Sequence, residues 1–444
     1  VLRLLTGRPL HAVPAGPKGR PDRTSVPSAS RPHGRVEKGK GTLTTLPSTS
    51  QEDAQKHAAG TARRGIGSTL ILALGTFAVG TDATAMAGFL PSVADTLQVS
   101  HAAAGQVTAV FAISYALLAP VLATVTARIP RRALLVSSLL LLAVADTIAA
   151  LAPNYATLMA ARVVASVGAA TYTPGAAAVA ADLVPPAQRG RAFAVVIGGL
   201  TVATALGVPL GNLADRLLDW RTAIALVATL VAVCAIAVFA VMPRLPGQPR
   251  VPLARRLRAL RHPGVLAVLP LTVLALTAGY GLYPYAIPVM HALGADADAE
   301  MWLLALYGTG AVLGNLVSGA AVDRYGPIRV LAVAFTTIAV TMGAAAVVAG
   351  TGVHWLPLTA LLMVFWGVSG WSQTTAQQVR LISAVPQEAT VVIGLNSSAL
   401  YLGIALGTGF GGFVLESSVP TALAACSGVA VLGLGYLALT RRYR

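Results

Sequence analysis

From residue 69 onward, long apolar runs alternate with short polar stretches that hold much of the chain's Arg, Gly and Pro. A helix that crosses a bilayer needs roughly 20 apolar residues. Twelve runs reach that length, at about 69–93, 103–127, 133–152, 155–180, 192–214, 221–242, 265–287, 301–322, 328–350, 355–379, 390–413 and 421–440. The pattern predicts an all-α membrane protein of twelve spans.

The fifth run carries a second pattern, because Gly199, Ala203, Gly207 and Gly211 recur every fourth residue. Such positions share one helical face, and small residues there let two backbones approach closely, which stands in for the hydrophobic force that lipid removes. Pro209 lies in the same stretch. Proline deletes a backbone hydrogen bond and bends its helix, which is tolerated in a membrane where a neighbour or a cavity satisfies the freed carbonyl. The run thus predicts a bent, tightly packed helix. Gly310, Gly314 and Ser318 give the eighth run the same spacing and make it the expected partner.

The runs also repeat. Residues 123–132, after the second run, correspond to residues 319–329, after the eighth, and the same offset carries residues 206–211 onto 402–407 and brings Pro91 within one residue of Pro288. Two six-helix halves in one orientation form parallel repeats about an axis along the membrane normal, with the substrate site between them. The expected division is a basic, disordered tail (1–66), an N-terminal bundle (67–242), a linker (243–263), a C-terminal bundle (264–440) and a short tail (441–444). The first tail is aperiodic and rich in Pro, Gly, Ser, Arg and Lys, a composition that buries no core. In the linker, Leu253, Leu257 and Leu260 among arginines predict a short amphipathic helix suited to an anionic membrane surface.

Composition agrees: 55% of residues are hydrophobic and 11% charged, and the mean hydropathy is +0.72. The formal charge of +16 does not indicate nucleic acid, because the basic residues do not gather on one patch. All Lys and Arg except Arg162, Arg216 and Arg221 lie in the first tail, the even-numbered connections, the linker or the C-terminus. The excess of positive charge on cytoplasmic loops then predicts a multi-pass plasma-membrane protein with both termini cytosolic. Asp95, Asp296, Asp298 and Glu300 fall on the other side. Cys234 and Cys426 sit inside spans and suggest neither a metal site nor a disulfide framework.

Three ionisable residues fall inside the apolar runs: Asp82, Asp146 and Arg162. At 1.5 Å per residue, Asp82 lies roughly 18 Å and Asp146 about 20 Å from the basic side, and Arg162 reaches a similar level from the other. Charges in hydrocarbon pair or face water, so Arg162 is expected to meet Asp82 or Asp146. One reading makes Asp82 the proton-coupling group. The other is a static pair between spans three and four, with Asp82 bonded to Thr81 or Thr84. The candidate substrate cavity is aromatic and amide-rich: Tyr115, Tyr172, Tyr280, Tyr283, Trp366, Gln373, Gln377, Asn396 and Tyr401, with Tyr285, Trp371 and Gln378 close by. The second half carries no acid within a span, which favours a neutral or mildly polar substrate.

From about residue 68 to 440, the sequence resembles the major facilitator superfamily, twelve-helix drug/proton antiporter branch. It is most similar to arabinose-efflux-permease-like and chloramphenicol-resistance-like exporters. The likeness rests on residues 80–82 and 90–91, on 181–186 with 189–192, on 207–211, and on Trp220 and Arg221. It implies the major facilitator fold, with two six-helix pseudo-symmetric bundles. Gly207, Pro209 and Gly211 match the antiporter motif, which implies export, and Arg162 matches the span-four arginine associated with proton movement. The loop motif after span two departs from the family, with Ala123, Ala127 and Pro130 in place of its glycine, acid and second glycine. Arg128, Arg131 and Arg132 remain. The second copy keeps Gly319, Asp323, Arg324 and Gly326, with Pro327 where an arginine is usual. That makes Asp323 the expected cytosolic latch, pairing with an arginine across the halves and releasing it on switching.

No nucleophile and base pair, metal cluster or phosphate-binding glycine loop has its required context. The expectation is a monomeric transporter without cofactor or metal, not an enzyme, exchanging protons for a small organic molecule such as a drug, antibiotic or sugar. An uptake symporter or facilitator of the same fold, or a transport-dead sensor, are the competing readings.

Overall fold

The computed structural model describes residues 49–185, 188–247 and 249–442, with side chains from 67 onward apart from those of 190, 191, 193, 208, 212, 215, 216 and 390. The described residues from Gln55 onward form one compact unit. The predicted tail falls largely outside the described residues, and where it is described it is helical. The first helix starts at Thr49, well before the expected end of the tail at residue 66. Ala, Gln, Glu and Lys between 51 and 62 are strong helix formers, and Glu52 and Asp53 lie at the helix N-terminus, where negative charge is favoured.

The long elements are α1 (Gly67–Leu97), α2 (His101–Val125), α3 (Arg131–Ala150), α4 (Tyr155–Asp182), α5 (Arg189–Leu217), α6 (Trp220–Val241), α7 (Pro263–Ala292), α8 (Glu300–Tyr325), α9 (Pro327–Thr351), α10 (Leu356–Ala384), α11 (Ala389–Leu415) and α12 (Val419–Thr440). Ten of them are long and apolar enough to cross a membrane. That count is of the described residues, among which α5 shows an apolar stretch at Ala194–Gly207; α10 carries Ser369, Ser372, Gln373, Gln377 and Gln378 in its middle. No strand occurs among the described residues.

Side-chain caps mark the starts of four helices on the side opposite the arginine-rich loops. Ser100 Oγ accepts from the Ala103 amide, Asn154 Oδ1 from Thr157, Asp219 from Arg221 and Thr222, and Ser418 Oγ from Thr421. Each satisfies an amide that helix geometry leaves unpaired. Hydrogen bonds from the Thr222 hydroxyl and amide hold the Asp219 carboxyl below the usual range. Arg221, an exception to the charge asymmetry, is held on this side: it donates to Ala150 O at 3.0 Å and Ala152 O at 2.6 Å and stacks over Trp220 at 4.4 Å. The carbonyl end of α3 is a favourable place for a cation.

α1 and α7 are each interrupted. A tight 3₁₀ turn at Met86–Phe89 breaks α1 before Pro91, and one at Tyr283–Tyr285 breaks α7 around Pro284. The duplication therefore extends to matching breaks, and the two turns touch each other. Across the halves, α2 packs on α11 and α5 on α8. At the end away from the basic loops, both halves share one core, in which Phe89, Leu90, Val93 and Trp220 join Tyr283, Met290 and Leu304. Towards the basic end the first half has its own cluster within α1–α6, while the second half keeps the shared cluster's extension to Val322, Leu331 and Leu437 and a separate group around Val265, Leu381 and Val392. The halves are sealed at one end and parted at the other.

The linker contains the predicted helix, at Leu253–Ala259. Arg255 pairs with Glu388 at 3.1 Å and Arg256 donates to Ala123 O at 3.4 Å, so the linker touches both halves. Burial lowers the Arg256 guanidinium from its ordinary value.

Candidate functional site

The three intramembrane ionisable residues converge. An arginine Nη1 of Arg162 lies 2.5 Å from Asp82 Oδ1 and 3.6 Å from Asp146 Oδ1. Asp82 is 4% exposed, and Asp146 and Arg162 are fully buried. The sequence left a choice between the two acids, and the structure puts the arginine on both. Its guanidinium also stands over the Phe111 ring at 4.5 Å, a cation–π contact strengthened by desolvation. Thr84 is not a partner of Asp82; its hydroxyl donates to Gly80 O and Ala203 O.

Next to this cluster, on the basic side of the shared core, lies a cavity of about 480 Å³. Its wall comes from both halves: Phe111 and Tyr115 of α2, Thr201 of α5, Tyr280 of α7, Asn315 of α8, Trp371 and Gln378 of α10, and Tyr401 of α11. Tyr115 and Tyr401 stack with centroids 3.7 Å apart, and Phe111 meets Tyr401 edge-on at 6.2 Å. Phe111 thus has one side on the cavity and the other on Arg162. Among the described residues the wall carries aromatic rings, hydroxyls and amides but no charged side chain. Such lining suits a small neutral molecule with aromatic or hydrogen-bonding groups.

Of the cavity residues expected from sequence, Tyr115, Tyr280 and Tyr401 line it, as do Trp371 and Gln378. The remaining seven do not, among them Tyr285, whose hydroxyl donates to Thr408 O at 3.3 Å. Tyr172 reaches Leu72 O beside Gly75. Tyr283 stacks on Tyr307 at 4.2 Å and reaches Thr204 O, sealing the closed end. Trp366 donates to Gly279 O at 2.7 Å, and Gln373 bonds to Gly370 O within its own helix. Gln377 and Asn396 both bond to Thr272, tying α10 and α11 to α7. Tyr172, Tyr283, Trp366, Gln377 and Asn396 thus each spend a polar atom on a neighbouring helix, which is the other way a membrane protein satisfies buried polar groups. Sequence reading missed Phe111, Thr201, Asn315, Thr374, Thr375 and Ser397. A faint signal existed for Phe111, which stands four residues from Tyr115 on the same face.

The small-residue stripe of α5 packs on α1, not on α8. A Cβ on Gly199 would collide with Ala73 O, one on Gly207 with the Thr84 hydroxyl, and one on Gly211 with Ala85 O; Ala203 faces Gly80. The stripe of α8 turns to α10, with Gly310 against Val364 O, Gly314 against Val368 O, and Ser318 Oγ donating to Thr375 Oγ1 at 3.0 Å. α5 and α8 do meet, on other faces: Asn315 donates to Thr201 at 3.3 Å, and Gly308 lies against Ala205 O. Ala205 is four residues before Pro209, so its carbonyl is the one the proline frees.

The expected cytosolic gate is not closed. Asp323 is exposed and makes no ion pair among the described residues, and Arg324 leans on the adjacent Tyr325 ring at 5.4 Å. Gly319 has open space around it. In the first copy, Arg128 is exposed, Arg131 is buried beside Asp182, and Arg132 stacks over Phe239 at 4.3 Å. With Ala127 replacing the family's acid, Arg131 and Arg132 find partners on α4 and α6 of their own half. Gly326, at φ +81°, makes the turn into α9.

No group of three or more metal-ligating side chains occurs among the described residues. In comparison with known proteins, the Major Facilitator Superfamily model matches residues 72–291 and 268–444. The chain is 32% identical over 349 residues to a chloramphenicol resistance protein of Streptomyces lividans, covering 76% of this chain and 86% of the relative. It is 30% identical over 381 residues to a chloramphenicol efflux pump of Mycobacterium tuberculosis, covering 82% and 90%. Among solved structures, a bacterial homologue of the human lysosomal transporter Spinster, inward-facing and occupied, matches with a TM-score of 0.65 at 17% identity, over 85% of this chain and 96% of that one.

Proposed function

The chain belongs to the Major Facilitator Superfamily, and from that premise we propose that this membrane transporter exports a small neutral organic molecule in exchange for protons. The observation that carries the proposal is the placement of Arg162 between two buried carboxylates and against the cavity wall. One arginine balances one carboxylate. With both acids ionised, a net charge would stay buried in hydrocarbon, so the cluster reaches neutrality by binding one proton. Substrate in the cavity presses on Phe111 and Tyr401, and Phe111 passes the displacement to Arg162. A shift of the guanidinium between Asp82 and Asp146 changes which acid is balanced, and with it the hold on the proton.

Twelve spans, in two six-helix halves at 67–242 and 264–440, rock about the cavity. The arginine-rich loops and both termini lie in the cytosol of a plasma-membrane protein, and the sealed core lies outside. The conformation described then faces inward. Substrate enters from the cytosol and favours proton release; after switching, a proton bound from outside drives substrate off. The relatives named as chloramphenicol pumps support export and make phenicols the first substrates to test.

The experiment is transport into inside-out vesicles, whose lumen corresponds to the cell exterior. An acid lumen is expected to drive accumulation of a phenicol or of another neutral aromatic compound. Accumulation unaffected by the gradient would leave a facilitator. Loss of preloaded compound from the acid lumen, with protons moving the same way, would establish uptake.

A further inference from the structure

At the basic end of the second half, away from the central cavity, an apolar groove of about 560 Å³ runs between α8, α9 and α10. Leu313, Val317 and Val333, which line it, are 49%, 62% and 66% exposed, and on a membrane helix such side chains face lipid. The groove ends at Tyr325 and Arg329, which also line a second pocket of about 700 Å³. That pocket has the opposite character. Arg329, Arg380 and Arg441 converge on it from α9, α10 and the end of α12, and among the described residues its lining includes Ser383 but no carboxylate. Arg380 is 4% exposed and is held by a 3.3 Å bond from Nη2 to Thr440 O, which fixes one cation at the base of the pocket. The first turn of α9, at Gly326–Arg329, forms another wall; no side chain caps it, and its amides add the positive end of a helix dipole.

We propose that this paired groove and pocket bind one anionic phospholipid, with an acyl chain along α8–α10 and the phosphate between Arg329, Arg380 and Arg441. Two features select that occupant. The groove opens where bilayer lipid already lies, so its filling needs no other partner. The cationic pocket adjoins it at Tyr325 and Arg329, which suits a ligand with tail and anionic head in one molecule. A zwitterionic lipid fills the groove equally well but brings a compensating cation to the arginines. The site does not depend on the direction of transport.

The test uses the full chain in phosphatidylcholine proteoliposomes with spin-labelled phosphatidylglycerol or phosphatidylcholine as probe. The expected result is an immobilised phosphatidylglycerol component, favoured about fivefold for each arginine engaged. Arg329→Gln with Arg441→Gln, both on exposed positions, is expected to bring the preference down towards that of phosphatidylcholine. Arg250→Gln, an exposed linker arginine outside the pocket, is expected to leave it unchanged. Val333→Trp, which fills the groove and keeps every charge, is expected to reduce retention as well. An undiminished preference in the double variant, or an equal fall with Arg250→Gln, would overturn the proposal. So would competition by inorganic phosphate as effective as that by phosphatidylglycerol, which would mean an anion pocket with no use for the groove. Crosslinking of two copies through Val333→Cys, with no immobilised lipid, would assign the face to a dimer.

Discussion

Arg162 decides how the interior of the first half works, because a cation with no exposure must be balanced where it stands. Removing one member of a buried ion pair strands the other and costs about 3–5 kcal/mol. Arg162→Ala is therefore expected to lower thermal stability by that order and to abolish transport. Asp82→Asn keeps shape and hydrogen bonding but cannot exchange a proton. It should still bind or passively exchange substrate, measured by binding to the purified protein and by counterflow, while accumulation against a gradient is lost. Uphill export by Asp82→Asn with unchanged pH dependence would move the coupling role to Asp146. That Arg162 meets one of the two acids was legible from their heights along three runs; that it stands near both was not. That Phe111 stands between them and the cavity was not, because a phenylalanine in an apolar run carries no mark of what it faces.

At the scale of the helix, small residues set the distances. Gly207 lies against the Thr84 hydroxyl and Gly308 against the carbonyl that Pro209 frees. The first contact is within a half and the second across the halves, so substitutions there are expected to differ in kind. Gly207→Leu should separate α5 from α1 and reduce both folded yield and transport. Gly308→Val should spare folding of either half but block close approach of α5 and α8 at the sealed end. The measurement is folded yield by size-exclusion chromatography alongside vesicle transport. Equal folded yield with normal transport for both would show that neither contact matters. The stripes were visible as a spacing of four, and their tight packing followed. Their partners did not follow, since Thr76, Gly80, Thr84 and Gly88 give α1 the same spacing as Gly310, Gly314 and Ser318 give α8, and spacing alone does not tell which of the two meets α5; the stripe on α8 turns to α10.

At the scale of the molecule, a core that joins the halves at the end away from the basic loops is, on the proposed alternating-access reading, one of two states. Cysteines placed at Ser397 in the cavity and Asp296 in an acidic loop read out topology and state together. With Cys234 and Cys426 buried, the background is low. The loop position is expected to react with a membrane-impermeant reagent from outside intact cells. The cavity position is expected to react in inside-out vesicles and to be protected by substrate. Labelling of the loop position only from inside would reverse the assigned orientation.

The sequence by itself determined the helical class and the family, and it displayed the apolar runs, their repeat and the bias of basic residues to certain loops. Each depends on composition or spacing along the chain, which apolar length and charge bias record directly. Only the tertiary structure decided which tyrosines and amides line the cavity, which helix each glycine stripe meets, where α1 and α7 break, and that the loop arginines bind within their own half. The physical reason is the solvent. In water, a helix shows its inner face by being apolar there and polar elsewhere. In a bilayer, lipid tails are as apolar as a packed core, so the face turned to lipid and the face turned to a neighbour read alike until the helices are assembled.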